Sequence, residues 1–182
     1  MNSFDLLLCS GTGRLSRLIK RAQKYAGYTE CEAQISHVAM TSGRQDVFES
    51  TTLNKWCKRS GVQINPFGAW RANYNGKVWI RHININIDVP LWEKAKDWQH
   101  SLLGTPYESG VSGLIEMARV LLPAWIPHST PEIHCSEAVA KVYQEIGWLD
   151  KNAQSNKLPP AMWWSRIDSL FNVEIGTPER IK

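Results

Sequence analysis

Cys135 stands in "PEIHCSEAVAKVYQEIG", just ahead of a stretch with helical periodicity. Ala138, Val139, Val142 and Ile146 fall at i, i+1, i+4 and i+8, one apolar stripe of a helix. The spacing predicts a helix from Ser136 to Gly147 with Cys135 at its N-terminal edge. The unpaired amides and partial positive charge of such an edge favour thiolate over thiol. The same amides can receive a developing oxyanion. Three chemistries are open to this cysteine: a buried structural thiol, which is the ordinary fate of the residue, a metal ligand, or a nucleophile.

A nucleophilic cysteine needs a base and a group to orient that base. The chain has five histidines. His134 is adjacent to Cys135, so its side chain is directed away from the sulfur. His82 falls on the polar face of an alternating strand with Asn84 and Asn86, and is expected to be exposed. His100 lies on a polar helix face and His128 in a loop. His37 differs, because it sits between apolar residues in "ISHVAM". The partner strand of its hairpin, "VFEST", carries Glu49. A turn centred on Gly43 places Glu49 directly opposite His37, where a carboxylate can hold the imidazole in one tautomer. An ordinary cross-strand polar pair fits the same spacing. Read together, Cys135, His37 and Glu49 form a Cys–His–Glu arrangement. A metal site from His37, His134 and Cys135 has little support, since two neighbouring residues would have to point the same way.

The elements that must position these residues follow from patterning. "FDLLLCSG" reads as a short buried strand ended by Gly11-Thr12-Gly13, which lacks the Walker spacing and is a turn rather than a phosphate loop. Leu15, Leu18, Ile19 and Ala22 mark a helix over Ser16–Tyr25. "QISHVAMTSGRQDVFEST" is a hairpin with its turn at "SGRQD". Lys77–Ile87 alternates as a strand, and Pro90 opens a helix through Leu103. Gly113–Leu122 reads as a helix. Pro123, Pro127 and Pro131 mark an extended approach to Cys135. "KLPPAMWWSRIDSLFN" gives a late turn and a short helix. The segment between Ser50 and Lys77 is rich in Trp, Asn and Gly, and reads as a surface loop or a specificity element. The sum is an α+β domain, an antiparallel sheet packed against helices with the nucleophile at a helix N-terminus.

At 182 residues the chain suits one domain over 1–182. With 43% hydrophobic and 21% charged residues it can form a packed core. A net charge of +4 does not argue for nucleic acid as a partner. The densest basic stretch, "GRLSRLIKRAQK", reads as a helix with a solvated basic face rather than a phosphate-binding patch. The nine tryptophans are expected to be core and interface anchors. The four cysteines are irregularly spaced, with no CxxC pair, so neither a zinc ribbon nor a redox motif is encoded. No secretory signal and no membrane-length apolar run is seen. The expectation is a protein with free thiols made in a reducing compartment, cytoplasmic or delivered by a phage or secretion system. No cofactor and no metal is expected, and oligomeric state is not encoded.

The run "DLLLCSGTGRLSRLI…SHVAM…VFES…LLGTPYE…IHCSEAVAKVY…LPPAMWW" resembles the circularly permuted branch of the NlpC-type, papain-like superfamily, the YiiX/YebB-like proteins. The resemblance spans Asp5 to about Trp163, and its specificity lies in the order and spacing of short motifs. The sequence order is His, Glu, Cys, whereas papain-like enzymes run Cys first. The resemblance implies a permuted papain-like fold with His37 as base, Glu49 as orienting residue and Cys135 as nucleophile. It also implies that Tyr107, in "GTPYE", lies near the site, where its hydroxyl could help bind an oxyanion. Glu137 matches the family "CSE" and would place the first turn of the helix. The chain departs from the pattern at Asp5, which lacks the usual preceding glycine, and at Ala39-Met40, which stands for Gly-Ile. The implied activity is that of a cysteine peptidase or amidase, a thiol hydrolase or transferase. Its substrate would be a peptide, isopeptide or cell-wall peptide amide, or alternatively an acyl lipid. A binding module that keeps the fold without catalysis is the other class.

Overall fold

The computed structural model describes residues 3–52, 59–85, 87–107 and 133–182. The described residues hold six strands: β1 (Leu6–Gly11), β2 (His37–Ser42), β3 (Asp46–Thr51), β4 (Gly61–Pro66), β5 (Gly76–Arg81) and β6 (Glu179–Arg180). They form one sheet in the order β4-β3-β2-β1-β5-β6, every pair antiparallel. The helices are α1 (Arg14–Tyr25), α2 (Glu30–Ala33), α3 (Phe67–Asn73), α4 (Val89–Leu102) and α5 (Cys135–Glu145). Three 3-10 turns follow, at Ser155–Lys157, Pro160–Trp164 and Arg166–Leu170. The α+β class read from the sequence is the observed one. The helix expected over Gly113–Leu122, the approach marked by Pro123, Pro127 and Pro131, and His128 lie outside the described residues. Among the described residues, no helix is long and apolar enough to cross a membrane.

β1 is central because "LLLCSG" has no polar face to offer solvent: all six residues are buried. Alternation along the strands separates two cores. Leu6, Leu8, Val38, Met40, Phe48 and Trp79 face α5, whose Ala138, Val139, Val142 and Tyr143 are fully buried against them. Leu7, Cys9, Ala39, Val47, Val78 and Ile80 face Trp70 of α3, with Phe67 and Tyr74 beside it. Each fully buried valine in these layers contributes about 1.5–3 kcal/mol relative to exposure.

Three sequence expectations are corrected. The segment between Ser50 and Lys77 is not a plain surface loop: past residues 53–58 it supplies edge strand β4 and helix α3. Gly-Val-Gln-Ile-Asn-Pro carries a short period-two signal, and Pro66 ends the strand because it has no N–H for the ladder. The strand expected over Lys77–Ile87 stops at Arg81. His82 is not an exposed polar-face residue. It is half-buried, and its Nδ1 lies 2.9 Å from an oxygen of fully buried Asp5. The other Asp5 oxygen accepts the Ile83 amide at 3.1 Å, so the strand turns there to satisfy a buried carboxylate. The late "PPAMWW" and "RIDSL" segments form short 3-10 helices.

Candidate functional site

Cys135 is the first residue of α5, and His134 caps it. The His134 Nδ1 accepts the Glu137 amide at 3.2 Å, which turns that ring to the helix end rather than to the sulfur. The sulfur receives the backbone amides of Val38 and Ser136. α5 is seated from in front as well. Ser50 Oγ on β3 donates to the Ile133 carbonyl at 2.8 Å, and the Ile133 amide donates to the Pro106 carbonyl at 3.0 Å. The nucleophile candidate is thus tied to β2 through the Val38 amide, and the peptide that leads into it is tied to β3 through Ser50 and to Pro106.

His37 opens β2, and its ring hydrogen-bonds the Cys135 side chain. Its Nε2 lies 2.8 Å from Glu49 Oε2. The hairpin register differs from the sequence expectation. The turn contains Gly43, Arg44 and Gln45, with Ser42 paired to Asp46 and Met40 to Phe48. Gly43 takes φ +75° and begins the turn instead of centring it. Continued along the strands, this register sets Glu49 opposite Ala39, one diagonal step from His37. A shift of two residues preserves the face, and a glutamate side chain spans the diagonal. Glu49 is 2% exposed, and Asn65 on β4 donates to its second oxygen at 3.1 Å.

The electrostatics follow from this crowding. Burial alone opposes a proton on His37. The Cys135 thiolate and Glu49, by charge and hydrogen bond, outweigh burial and push the imidazole up to about 10. Burial likewise opposes the Cys135 thiolate, but the His37 cation and the two amides leave that thiol below its ordinary range. Both shifts favour a thiolate–imidazolium pair. Cys9, paired with His37 across β1 and β2, shows the opposite outcome. Burial and the nearby Glu49 and Cys135 charges push its thiol well up, and it stays neutral, hydrogen-bonded to Tyr74. Tyr74 also stacks on the His37 ring, with centroids 6.5 Å apart and planes 21° from parallel.

His37, Glu49, Tyr74 and Tyr107 line an open cleft of about 500 Å³, and the Gly11–Gly13 turn and the start of α1 form its opposite lip. Cys135 is 4% exposed behind them. Tyr107 is half-buried and bridges Ile133 in parallel fashion, which brings it to the cleft wall. Glu137 is buried, with Lys141 at 2.8 Å and the His134 ring at 3.8 Å. It serves the first turn of α5 and does not reach the His37 pair by any of these contacts.

The structure therefore brings Cys135, His37 and Glu49 together and sets Tyr107 in the same cleft. Sequence reasoning missed Asn65 and Tyr74. Asn65 was legible only by recognising β4 as a strand beside β3, and Tyr74 follows α3 with no motif of its own. Among the described residues, no group of three His, Cys, Asp or Glu side chains is placed to hold a metal ion.

No protein-family model matches the sequence, and no curated protein matches it. A solved structure does: the crystal structure of metalloprotein YiiX from Escherichia coli O157:H7, DUF1105. The match has a TM-score of 0.56 at 17% identity and covers 100% of this chain and 96% of that one. Identity at that level speaks to architecture alone, and on it the chain has a YiiX-like fold.

Proposed function

We propose that the protein is a thiol hydrolase on a permuted, NlpC-type papain-like fold, cleaving a peptide or isopeptide amide through a thioester at Cys135. The observation that carries the reading is the imidazole of His37 held between Glu49 and the Cys135 sulfur, with the sulfur at a helix N-terminus. The Cys135 thiolate attacks the acyl carbon, and the imidazolium of His37 gives its proton to the departing amine. Water then attacks the thioester and passes a proton to His37. The acid leaves, and the thiolate–imidazolium pair is restored. The oxyanion is received by the Cys135 backbone amide, which precedes the intrahelical ladder, with Tyr107 on the cleft wall as second donor. Glu49, fixed by Asn65, keeps the ring aligned. Positioned acid–base transfer of this kind contributes about 10²–10⁴-fold.

An acyl-lipid ester is the second reading. It is favoured by one observation, that the cleft opens beside Leu15, an exposed apolar residue. Both readings are tested by incubating the protein with peptide amides, lysine isopeptides and phospholipid esters while the mass of Cys135 peptides is followed. An acyl adduct on Cys135 from an amide, absent in Cys135→Ala, is expected. Adducts from esters alone move the assignment to lipids. Full turnover by Cys135→Ala refutes the hydrolase.

A further inference from the structure

Helix α1 has no part in the chemistry proposed for Cys135, yet it forms a wall of the cleft. It carries Arg14, Arg17, Lys20, Arg21 and Lys24, and no acidic residue. Its buried residue is polar: Gln23 donates to the carbonyls of Ala33 and Ile35 and accepts the Ala161 amide. Those three bonds hold the helix, so its leucines are not needed inside. Leu15 and Leu18 remain 40% and 41% exposed, and Tyr25 is 98% exposed. At about 100° per residue, Leu15, Leu18 and Ala22 form one strip, and Arg14, Arg17, Arg21 and Lys24 form the strip beside it. Lys24 pairs with Glu30, and Lys20 bonds the Gly11 carbonyl. Among the described residues, Arg14, Arg17 and Arg21 have no ion pair. Lys77 adds to the basic field close to Lys20. The apolar strip runs into the cleft, which Leu15 and Ile19 line together with His37.

We propose that α1 seats the mouth of the cleft on an anionic lipid bilayer. Leu15, Leu18 and Ala22 enter the boundary between headgroups and acyl chains, while Arg14, Arg17 and Arg21 meet the lipid phosphates. An aliphatic strip beside a cationic strip is the pattern of an interfacial helix. An acidic soluble partner would answer the arginines and leave the leucines in water. A nucleic acid would call for aromatic platforms among the cations, whereas the first two turns of this face offer only aliphatic ones. The docking concerns where the cleft is held, not which bond is cut, so it stands whether or not Cys135 is catalytic.

The test is co-sedimentation of the full chain, wild type and Cys135→Ala, with vesicles of phosphatidylcholine alone and of equal phosphatidylcholine and phosphatidylglycerol. Both proteins are expected on the anionic vesicles only and are released by salt. Each basic side chain near an anionic surface is worth about fivefold in partitioning, so Arg17→Gln with Arg21→Gln should weaken binding about thirtyfold. Leu18→Asp should release the protein at low salt although every arginine remains. These positions lie away from the His37–Cys135 pair, and the alkylation rate of Cys135 reports that the variants are folded. Failure of the wild type to bind anionic vesicles overturns the proposal. So does full binding by Leu18→Asp, or equally tight binding of single-stranded DNA, either of which makes the face a general polyanion site.

Discussion

Replacing His37 by alanine separates ionisation from access at Cys135. The sulfur is 4% exposed and lies against the His37 ring, so removing the ring can only admit reagent more freely. Any slowing of alkylation must come from charge. Without the imidazolium, burial governs the thiol, as it does for Cys9 next to it, and the value moves above the ordinary 9.0. At neutral pH that leaves about one sulfur in a hundred, or fewer, as thiolate, against a sulfur ionised by its partner. A more basic thiolate is more nucleophilic, with a Brønsted slope of about 0.45, which offsets only part of the lost ionisation. The net expectation is slower iodoacetamide labelling of Cys135 at neutral pH, by less than the roughly hundredfold loss in ionisation, and a rising limb displaced to higher pH. The assay is quenched alkylation with peptide mass mapping, in which the exposed Cys31 serves as internal control. An unchanged limb in His37→Ala, or equal rates at Cys31 and Cys135 in the wild type, refutes the ion pair.

Further outcomes follow from individual contacts. Glu49 raises the His37 value, so Glu49→Gln should lower it from about 10. Turnover, which needs the imidazolium, should then fall at lower alkaline pH, while the labelling limb moves less than in His37→Ala; an alkaline limb that stays in place contradicts the orienting role. Gly61 has φ +101°, and a Cβ there would strike the Thr105 carbonyl that accepts the Val62 amide. Gly61→Ala should cost about 1–3 kcal/mol in urea unfolding and disturb the segment Thr105–Tyr107; a midpoint equal to wild type would show that the crossing is not strained. Arg81 is buried and donates to the carbonyls of Gly176, Trp163 and Trp164 while pairing with Asp168. Arg81→Ala leaves the carbonyls it serves without their donor, while half-exposed Asp168 returns to water, and should destabilise by about 1–3 kcal/mol, read from the denaturant midpoint.

The sequence alone determined the local chemistry. The stripe Ala138, Val139, Val142 and Ile146 set a helix with Cys135 at its start. "LLLCSG" could only be a strand buried on both faces, and His37 and Glu49 belonged to one hairpin by their alternation. The face that a strand residue occupies depends on parity, which local patterning fixes. Their exact pairing did not follow, because it depends on where Gly43 turns the chain, and a three-residue turn moved the register by two. Only the tertiary structure decided that Cys135 meets His37, since a hundred residues separate them and the Ser50–Ile133 and Ile133–Pro106 bonds that seat α5 join segments distant in sequence. The same holds for Asn65 and Tyr74, whose roles exist only because β4 adds to β3 and α3 covers that face. It holds for α1 too. Its periodicity set the two strips, but the outward direction of the leucines was decided by Gln23, which finds its partners in Ala33, Ile35 and Ala161 and turns the helix accordingly.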